Sequence, residues 1–542
     1  MSGGGHKTVE LMENKASLSD LPDDPLSEII CLLDMKDAVK TSILSKRWRY
    51  IWANHVVDLK FNHVNILGLR TVPHKRKWAG LEIVFVKTVD KIMKQRLEGK
   101  RSKVNSFCIQ FPLGPRFSSS IDGWIDFVVA NNVETIDLDL SSHLPLARYN
   151  FSLLRAVSNN EKGTLKHLRL INCNFQGRSR SPKFGSLISI QLESVNISSL
   201  QLAKVLESCP LLEELTLDTC RNLTKLTINA TLLKHLSLIN CSKLKDIDVM
   251  NAQNLVYLLL EDMFINSLQL RRFIDRCPLL EELTLNCCPQ LTDLAILESN
   301  NSPLKYLYME NCWKLMELEL CANFLHTLEY YNITAWFSVM KTPRLVNVFI
   351  GEAGNIEHPL TNIPLNIPKL ENLILASYHP LNFFLANDLV PALSLRRLVI
   401  NVSLRNNDKD TLLYVSYILK AFPLLETLEL NFRNFKKFDY EEIMIFEKCP
   451  NRAITKLEMN GFSGSVGEFN VLMYLLENLT GLRELAIGSS FKRYYSFNRW
   501  INDLPFTTTN EQWFLCNSEW LRTIVPPSVH LKLMKDLDSD LV

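Results

Sequence analysis

Residues 199–217, SLQLAKVLESCPLLEELTL, and residues 267–285, SLQLRRFIDRCPLLEELTL, are identical at 13 of 19 positions although they lie 68 residues apart. Each opens with a helix-period stretch and stops at Cys-Pro, because proline lacks the amide a helix needs and clashes with the preceding turn. Each then closes on LEELTL, the alternation of a strand. The strand half recurs as LKHLRL at 165, LKHLSL at 233, LVYLLL at 255, LKYLYM at 304, LENLIL at 370, LRRLVI at 395, LETLEL at 425 and LRELAI at 482. Its middle anchors are Leu168, Ile190, Leu215, Leu236, Leu258, Leu283, Leu307, Leu328, Val348, Leu373, Leu398, Leu428, Leu457 and Leu485, a mean step of about 24 residues. Phe107 and Ile136 extend the series backwards to sixteen predicted strands. A unit of one strand and one return helix cannot bury its apolar edge alone, so stacking must supply the core.

The period and the aliphatic-x-x-aliphatic-x-aliphatic pattern resemble leucine-rich repeats of the cysteine type. The implied fold class is α/β, a solenoid (horseshoe) with a parallel inner sheet. Sixteen strands spaced by ~4.8 Å give an inner arc of about 70 Å, a surface of protein size. Cys173, Cys220, Cys241, Cys288 and Cys312 each follow an anchor leucine by five residues, which predicts a ladder of small buried side chains. No CxxC pair occurs among the 13 cysteines, so neither zinc nor a disulfide framework is expected.

The second informative stretch is residues 18–52, LSDLPDDPLSEIICLLDMKDAVKTSILSKRWRYIW. Asp24 and Pro25 suit a helix start, and Leu26, Ile29, Ile30 and Leu33 follow at i, i+3, i+4 and i+7. A second helix is predicted from about Asp37 to Ile43, and a third after Ser45 with Trp48 and Trp52 on one face. So short a segment has more apolar residues than its own core can bury, and it must pack on a partner, on the rest of the chain, or on both. Leu21-Pro22-Asp23-Asp24, Leu32-Leu33, Lys36-Asp37-Ala38-Val39, Thr41-Ser42 and Leu44-Ser45-Lys46-Arg47-Trp48-Arg49 resemble the F-box, especially its plant form. Pro25 and Asp34 depart from the usual pattern. The resemblance implies a three-helix module at 17–53 that docks on the Skp-type adaptor of a cullin ubiquitin ligase. It assigns adaptor binding to Leu21, Pro22, Ile29, Leu33, Leu44, Trp48 and Trp52.

Residues 454–487, ITKLEMNGFSGSVGEFNVLMYLLENLTGLRELAI, resemble the FBD region of plant F-box proteins, with a turn at Gly461-Phe462-Ser463-Gly464 and a buried stripe of Phe469, Leu472, Met473 and Leu476. The expected order is a disordered tail (1–16), the F-box (17–53), a basic linker or solenoid cap (54–103), the repeats (104–427) and FBD-like terminal repeats (428–490). A C-terminal cap or tail carrying Trp500, Trp513 and Trp520 (491–542) completes it.

With 60 basic and 58 acidic residues, the chain is not a polyelectrolyte binder, and no nucleic-acid partner is expected. No run of eighteen apolar residues and no apolar leader core occur, so no membrane is expected, and the thiols should be reduced in the cytoplasm or nucleus. GxGxxG, GxxxxGK[ST] and HExxH are all missing; no cofactor is expected and no catalytic residue is assigned. Residues 66–103 hold eleven Lys or Arg against three acids, which reads as a solvated amphipathic helix, as a site for an acidic partner or a phosphate compound, or as nuclear import through His74-Lys75-Arg76-Lys77.

Strand alternation makes a further assignment. If Leu307 and Met309 point inward, Tyr306 and Tyr308 face the concave side, and the same phase turns Tyr257, Leu259, Phe349, Ile374 and Val399 outward. These seven are the candidate target-binding face; lateral contact between neighbouring strands, or cover from a loop, is the other reading of the same residues. The expected function is the non-catalytic substrate receptor of a Skp-cullin-F-box ligase. A non-degradative interaction scaffold and a small-molecule co-receptor are the alternatives.

Overall fold

A computed structural model of the chain describes residues 18–33, 35–69, 80–97, 103–141, 147–152, 163–176, 184–297, 303–331, 333, 335–351, 367, 369–376, 394–402, 415–416, 418–420, 422–432, 448–496, 499–503, 517 and 519–534. It divides into two compact units, Met1–Leu223 and Thr224–Val542.

The first unit opens with helices α1 (Asp23–Cys31), α2 (Met35–Thr41) and α3 (Lys46–His55). Two residues later the chain enters a strand, Asp58–Asn62, the first of six parallel strands. The others are Ser106–Gln110, Thr135–Asp139, His167–Ile171, Ser189–Glu193 and Glu214–Asp218, each paired with its predecessor. Their anchors Leu59, Phe107, Ile136, Leu168, Ile190 and Leu215 stand in one row and are all buried. Helix α4 (His63–Leu67) and helix α5 (Leu81–Leu97) separate the first two strands. The stretch expected as a basic linker or solenoid cap thus contains a strand and both of these helices.

Among the described residues of the second unit, twelve parallel strands of one sheet follow in chain order: His235–Ile239, Tyr257–Glu261, Glu282–Asn286, Tyr306–Glu310, Thr327–Tyr331, Asn347–Gly351, Asn372–Ala376, Arg397–Val402, Thr427–Phe432, Lys456–Asn460, Glu484–Gly488 and His530–Met534. All sixteen predicted anchors lie in strands. The last strand falls in the segment expected as a cap, so that segment extends the sheet. Trp513 and the side chain of Trp500 lie outside the described residues.

The return helices need correction. Two of the 25-residue steps, Ile190 to Leu215 and Leu258 to Leu283, do contain helices, Ser199–Glu207 and Ser267–Asp275, both ending just before Cys-Pro as expected. Ser198 and Asn266 cap them, and Gln201 and Gln269 close reciprocal boxes while donating to Phe175 O (3.2 Å) and Lys245 O (2.6 Å) of earlier repeats. Shorter steps return through strands instead: Lys225–Asn229 pairs with Asp246–Asn251, and Glu317–Cys321 lies between Asp293–Ile296 and Trp336–Lys341. Twenty to twenty-four residues leave less chain for a helix, and LTKLTI or LMELEL alternates with a strand's period of two.

One turn geometry sets the cysteine ladder. The residue after the strand is left-handed at Asn172, Ser194, Thr219, Asn240, Asp262, Cys287 and Asn311, with φ between 50° and 59°. That conformation is unfavourable by roughly 1–2 kcal/mol for a side-chain-bearing residue. It recurs because the turned amide reaches the next strand's last carbonyl, as in Asn172 N–H to Glu193 O (2.9 Å) and Asn240 N–H to Glu261 O (2.9 Å). The following side chain then enters the core: Cys173, Cys220, Cys241, Cys288 and Cys312 are fully buried, alongside Val195 and Met263. Burial pushes the Cys173 thiol up to about 12, so it stays protonated. On the adjoining turns Asn174, Asn196 and Asn222 each donate to the asparagine of the preceding repeat, Asn150, Asn174 and Asn196.

The FBD-like stretch forms the strand Lys456–Asn460, a turn, and the helix Val466–Asn478. The buried stripe differs from the expected one: Val471, Leu472, Tyr474 and Leu475 are buried, Met473 is exposed, and Phe469 and Leu476 are half-buried. Glu468 ties the first turn of the helix to the residues before it. This fully buried carboxylate accepts from Ser463 N–H (2.8 Å), Ser465 N–H (2.9 Å) and the Ser463 hydroxyl (3.0 Å). Desolvation pushes it up to about 7 against those donors. The folded state then holds a proton that the unfolded chain releases near pH 4.3. The contribution is complete below the unfolded value and lost as pH rises through about 7. The melting temperature of the chain should fall across that window more steeply than that of Glu468→Gln; equal slopes would remove Glu468 as the titrating group.

Candidate protein-interaction surfaces

The three N-terminal helices close a small core of their own. Leu26 and Ile30 of α1, Met35 and Ala38 of α2, and Trp48, Ile51 and Trp52 of α3 are all buried. Helix α1 begins at Asp23, with Pro22 preceding it and no side-chain cap, so Asp24 lies in the first turn and is not the cap expected from sequence. Ser45 caps α3 by accepting from Trp48 N–H (3.2 Å).

This packing corrects two of the assigned docking residues. Trp48 is 5% and Trp52 0% exposed, so neither reaches the surface. Trp52 is held beneath Arg96 of α5, whose guanidinium lies 5.4 Å from the indole centroid. Arg96 is itself fully buried and donates to Trp52 O (3.3 Å), Val56 O (2.6 Å) and Lys103 O (3.3 Å). Its charge sits on the terminal carbonyls of α3, where a cation is favoured. Desolvation lowers its pKa to about 10, which leaves it charged at neutral pH. Of the basic stretch, Lys87, Lys91 and Lys94 line the exposed side of α5, whereas residues 70–79 lie outside the described residues.

The remaining assigned residues are outside the core. Leu33 and Leu44 are exposed, Pro22 is exposed, and Leu21 and Ile29 are half-buried. Sequence reasoning missed their larger neighbours: Leu32 is 87%, Ile43 80% and Tyr50 62% exposed. Leu32-Leu33 and Ile43-Leu44 flank α2, whose seven residues are about 10 Å long. The missed signal was adjacency, since two leucines in a row at a helix end cannot both face one core. Arg47 orders the entry to this surface. Its guanidinium donates to Asp23 Oδ1 (2.8 Å), Ser19 O (2.6 Å) and Leu21 O (2.6 Å), holding residues 19–23 against α3.

In the second unit, the face opposite the anchors carries the other candidate residues. Phe349, Ile374 and Val399 stand side by side in register and form a separate buried cluster with Tyr331 and Ala376 packed against it. Lateral contact closes these three, so they do not form an open binding stripe; Gly351 leaves room for the Tyr331 ring, which stacks on Phe349 at 6.3 Å. Tyr308 is 8% exposed, and Tyr257, Leu259 and Tyr306 are half-buried. Further along, the buried Glu429 accepts from Arg397 (3.1 Å) and from Asn460 (3.1 Å), while Glu458 pairs with Lys492. Burial, then the Glu458 charge, raises the Glu429 pKa. Burial also opposes ionisation of Glu458, but Lys492 and Asn460 outweigh it and hold that carboxyl below its usual range.

Comparison with known proteins fits both parts. The F-box domain model matches residues 18–60, and a leucine-rich-repeat domain model, described as At1g61320/AtMIF1, LRR domain, matches residues 100–259 and 249–494. The chain belongs to the F-box/leucine-rich-repeat family. Among its relatives in Arabidopsis thaliana, F-box/LRR-repeat protein At3g03360 is 26% identical over 67% of this chain and 70% of its own length. Putative F-box protein At1g49610 is 30% identical over 41% of this chain, which spans half of that protein, and F-box/LRR-repeat protein 25 is 27% identical over 38% of this chain and 69% of its own. A leucine-rich repeat protein from Bacteroides ovatus aligns over 69% of this chain and 84% of its own at 12% identity with a TM-score of 0.14, too low to carry an argument. The repeat match of this F-box/leucine-rich-repeat protein runs through its FBD-like stretch. Among the described residues no helix is long and apolar enough to cross a membrane.

Proposed function

We propose that the chain is the target-recognition subunit of a Skp-cullin-F-box ubiquitin ligase. The observation that carries this reading is the apolar surface at both ends of α2. Leu32, Leu33, Ile43 and Leu44 stay exposed on a module whose core is already closed by Trp48 and Trp52. Exposed leucines and isoleucines on a finished core mark a partner surface. The F-box match supports a Skp-type adaptor as the partner class, and through it a cullin. The adaptor-docking set is then Leu21, Pro22, Ile29, Leu33 and Leu44, joined by Leu32 and Ile43. The repeats hold the target near activated ubiquitin, and the rate gain is that of raised effective concentration.

Co-purification and titration with a Skp-type adaptor test this. Ile43→Asp with Leu44→Asp should weaken binding at least about thirtyfold, the effect of losing a ~2 kcal/mol hot spot. Both side chains are exposed, so the melting temperature should not move. Wild-type chain that fails to bind, or a variant that binds as tightly as wild type, would refute the docking assignment.

A further inference from the structure

The three strands Tyr257–Glu261, Glu282–Asn286 and Tyr306–Glu310 place tyrosines and carboxylates on one sheet face. Their register sets Tyr257, Glu282 and Tyr306 in one row, Leu259, Thr284 and Tyr308 in the next, and Glu261, Asn286 and Glu310 in the third. With neighbouring strands ~4.8 Å apart, Glu282 lies in register between Tyr257 and Tyr306. Tyr308 donates its hydroxyl to Glu310, which fixes the second carboxylate over the sheet. No lysine or arginine occupies any of these positions. Among the described residues neither Glu282 nor Glu310 has an ion-pair partner. The middle strand adds buried polar atoms: the Asn286 Oδ1 accepts no hydrogen bond, and the hydroxyl of Thr284, 4% exposed, makes none of ordinary geometry.

We propose that this face docks a cationic segment of the target protein, taking lysine or arginine side chains between the tyrosine rings and the glutamates. The proposal deepens the ligase reading and rests on it for the word target. Tyrosine faces attract a cation through their quadrupole, and carboxylates beside them supply the countercharge and accept its N–H groups. An acidic segment would meet Glu282 and Glu310 with no lysine or arginine on these strands. A wholly apolar segment would desolvate the same glutamates without compensation. Charge complementarity thus selects the occupant.

The test uses the full chain and a fluorescein-labelled dodecapeptide of alternating lysine and alanine, followed by anisotropy. The peptide should bind, and its fully acetylated counterpart should bind at least tenfold more weakly. Glu282→Gln with Glu310→Gln should also cost at least tenfold. Glu317→Gln with Glu319→Gln, which removes equal charge from a different strand, should leave affinity unchanged. Equal binding of the two peptides, no binding of either, or equal losses from both double variants would overturn the proposal. Adaptor titration of wild type beside the Glu282→Gln, Glu310→Gln variant separates the two readings: a wild type that fails to bind the adaptor sinks the ligase role while the peptide result stands by itself.

Discussion

Trp52→Ala should destabilise the N-terminal helices by about 3–5 kcal/mol, the range for truncating a fully buried large aromatic. The loss is compounded by what rests on the indole. Arg96 is fully buried, with the Trp52 ring beneath it and carbonyls of Trp52, Val56 and Lys103 as its acceptors. Emptying the site beneath a desolvated cation leaves that cation without its apolar floor. Denaturant titration followed by far-ultraviolet circular dichroism measures the change. Adaptor binding should fall with it, but through unfolding: Trp52→Phe should regain most of the stability and the binding together. A Trp52→Ala protein that keeps its stability and still loses the adaptor would return Trp52 to the docking surface.

Gly461→Ala should cost about 2–5 kcal/mol, from two separable sources. Gly461 has φ +68°, a conformation unfavourable for alanine by roughly 1–2 kcal/mol. A Cβ there would also stand 2.2 Å from Phe432 O, a backbone atom that cannot rotate away, and overpacking of that kind adds roughly 1–3 kcal/mol. The amides of Gly461 and Phe462 donate to Ser490 O (2.8 Å) and Gly488 O (2.9 Å), so the turn cannot relax without breaking the neighbouring repeat. Phe462 then anchors an edge-on chain of rings through Phe469 to Trp520. Thermal denaturation should show a loss of several degrees. Gly123→Ala is the control, since its helix leaves open space around the new methyl and should gain slightly in stability. Similar melting temperatures for Gly461→Ala and wild type would show that the turn tolerates a side chain.

The sheet was legible because each strand repeats one short apolar signature, and every anchor from Phe107 to Leu485 lies where that signature put it. Leu59 and Leu531 were missed for a physical reason. DLKFN and HLKLM are single strands at the ends of the series; 48 residues separate Leu59 from Phe107 and 46 separate Leu485 from Leu531, so each stands about two steps from its nearest neighbour and the single-step repeat does not reach it. The helical module was legible as a module, but its two faces were not. Apolar residues at helical spacing specify a stripe without saying whether the chain or a partner covers it. Trp48 and Trp52 fell on the inner side, while Leu32 and Ile43 fell on the outer. Phe349, Ile374 and Val399 were correctly placed opposite the anchors, yet alternation could not show that three adjacent apolar side chains would shelter one another.

Only Val56 and Val57 separate α3 from the first strand, and Arg96 holds the carbonyl of Val56. The heading of the docking module is therefore keyed to a parity. In Asp58–Asn62, Leu59 and Phe61 point inward, whereas Asp58 and Lys60 do not. One residue inserted or removed at the junction would exchange the two sets, or would turn α3 about its axis by about 100° to avoid doing so. A junction this short makes the chain a fixed bracket at its N-terminal end: changes of length leave that parity alone only beyond Asn62, where the strand has ended.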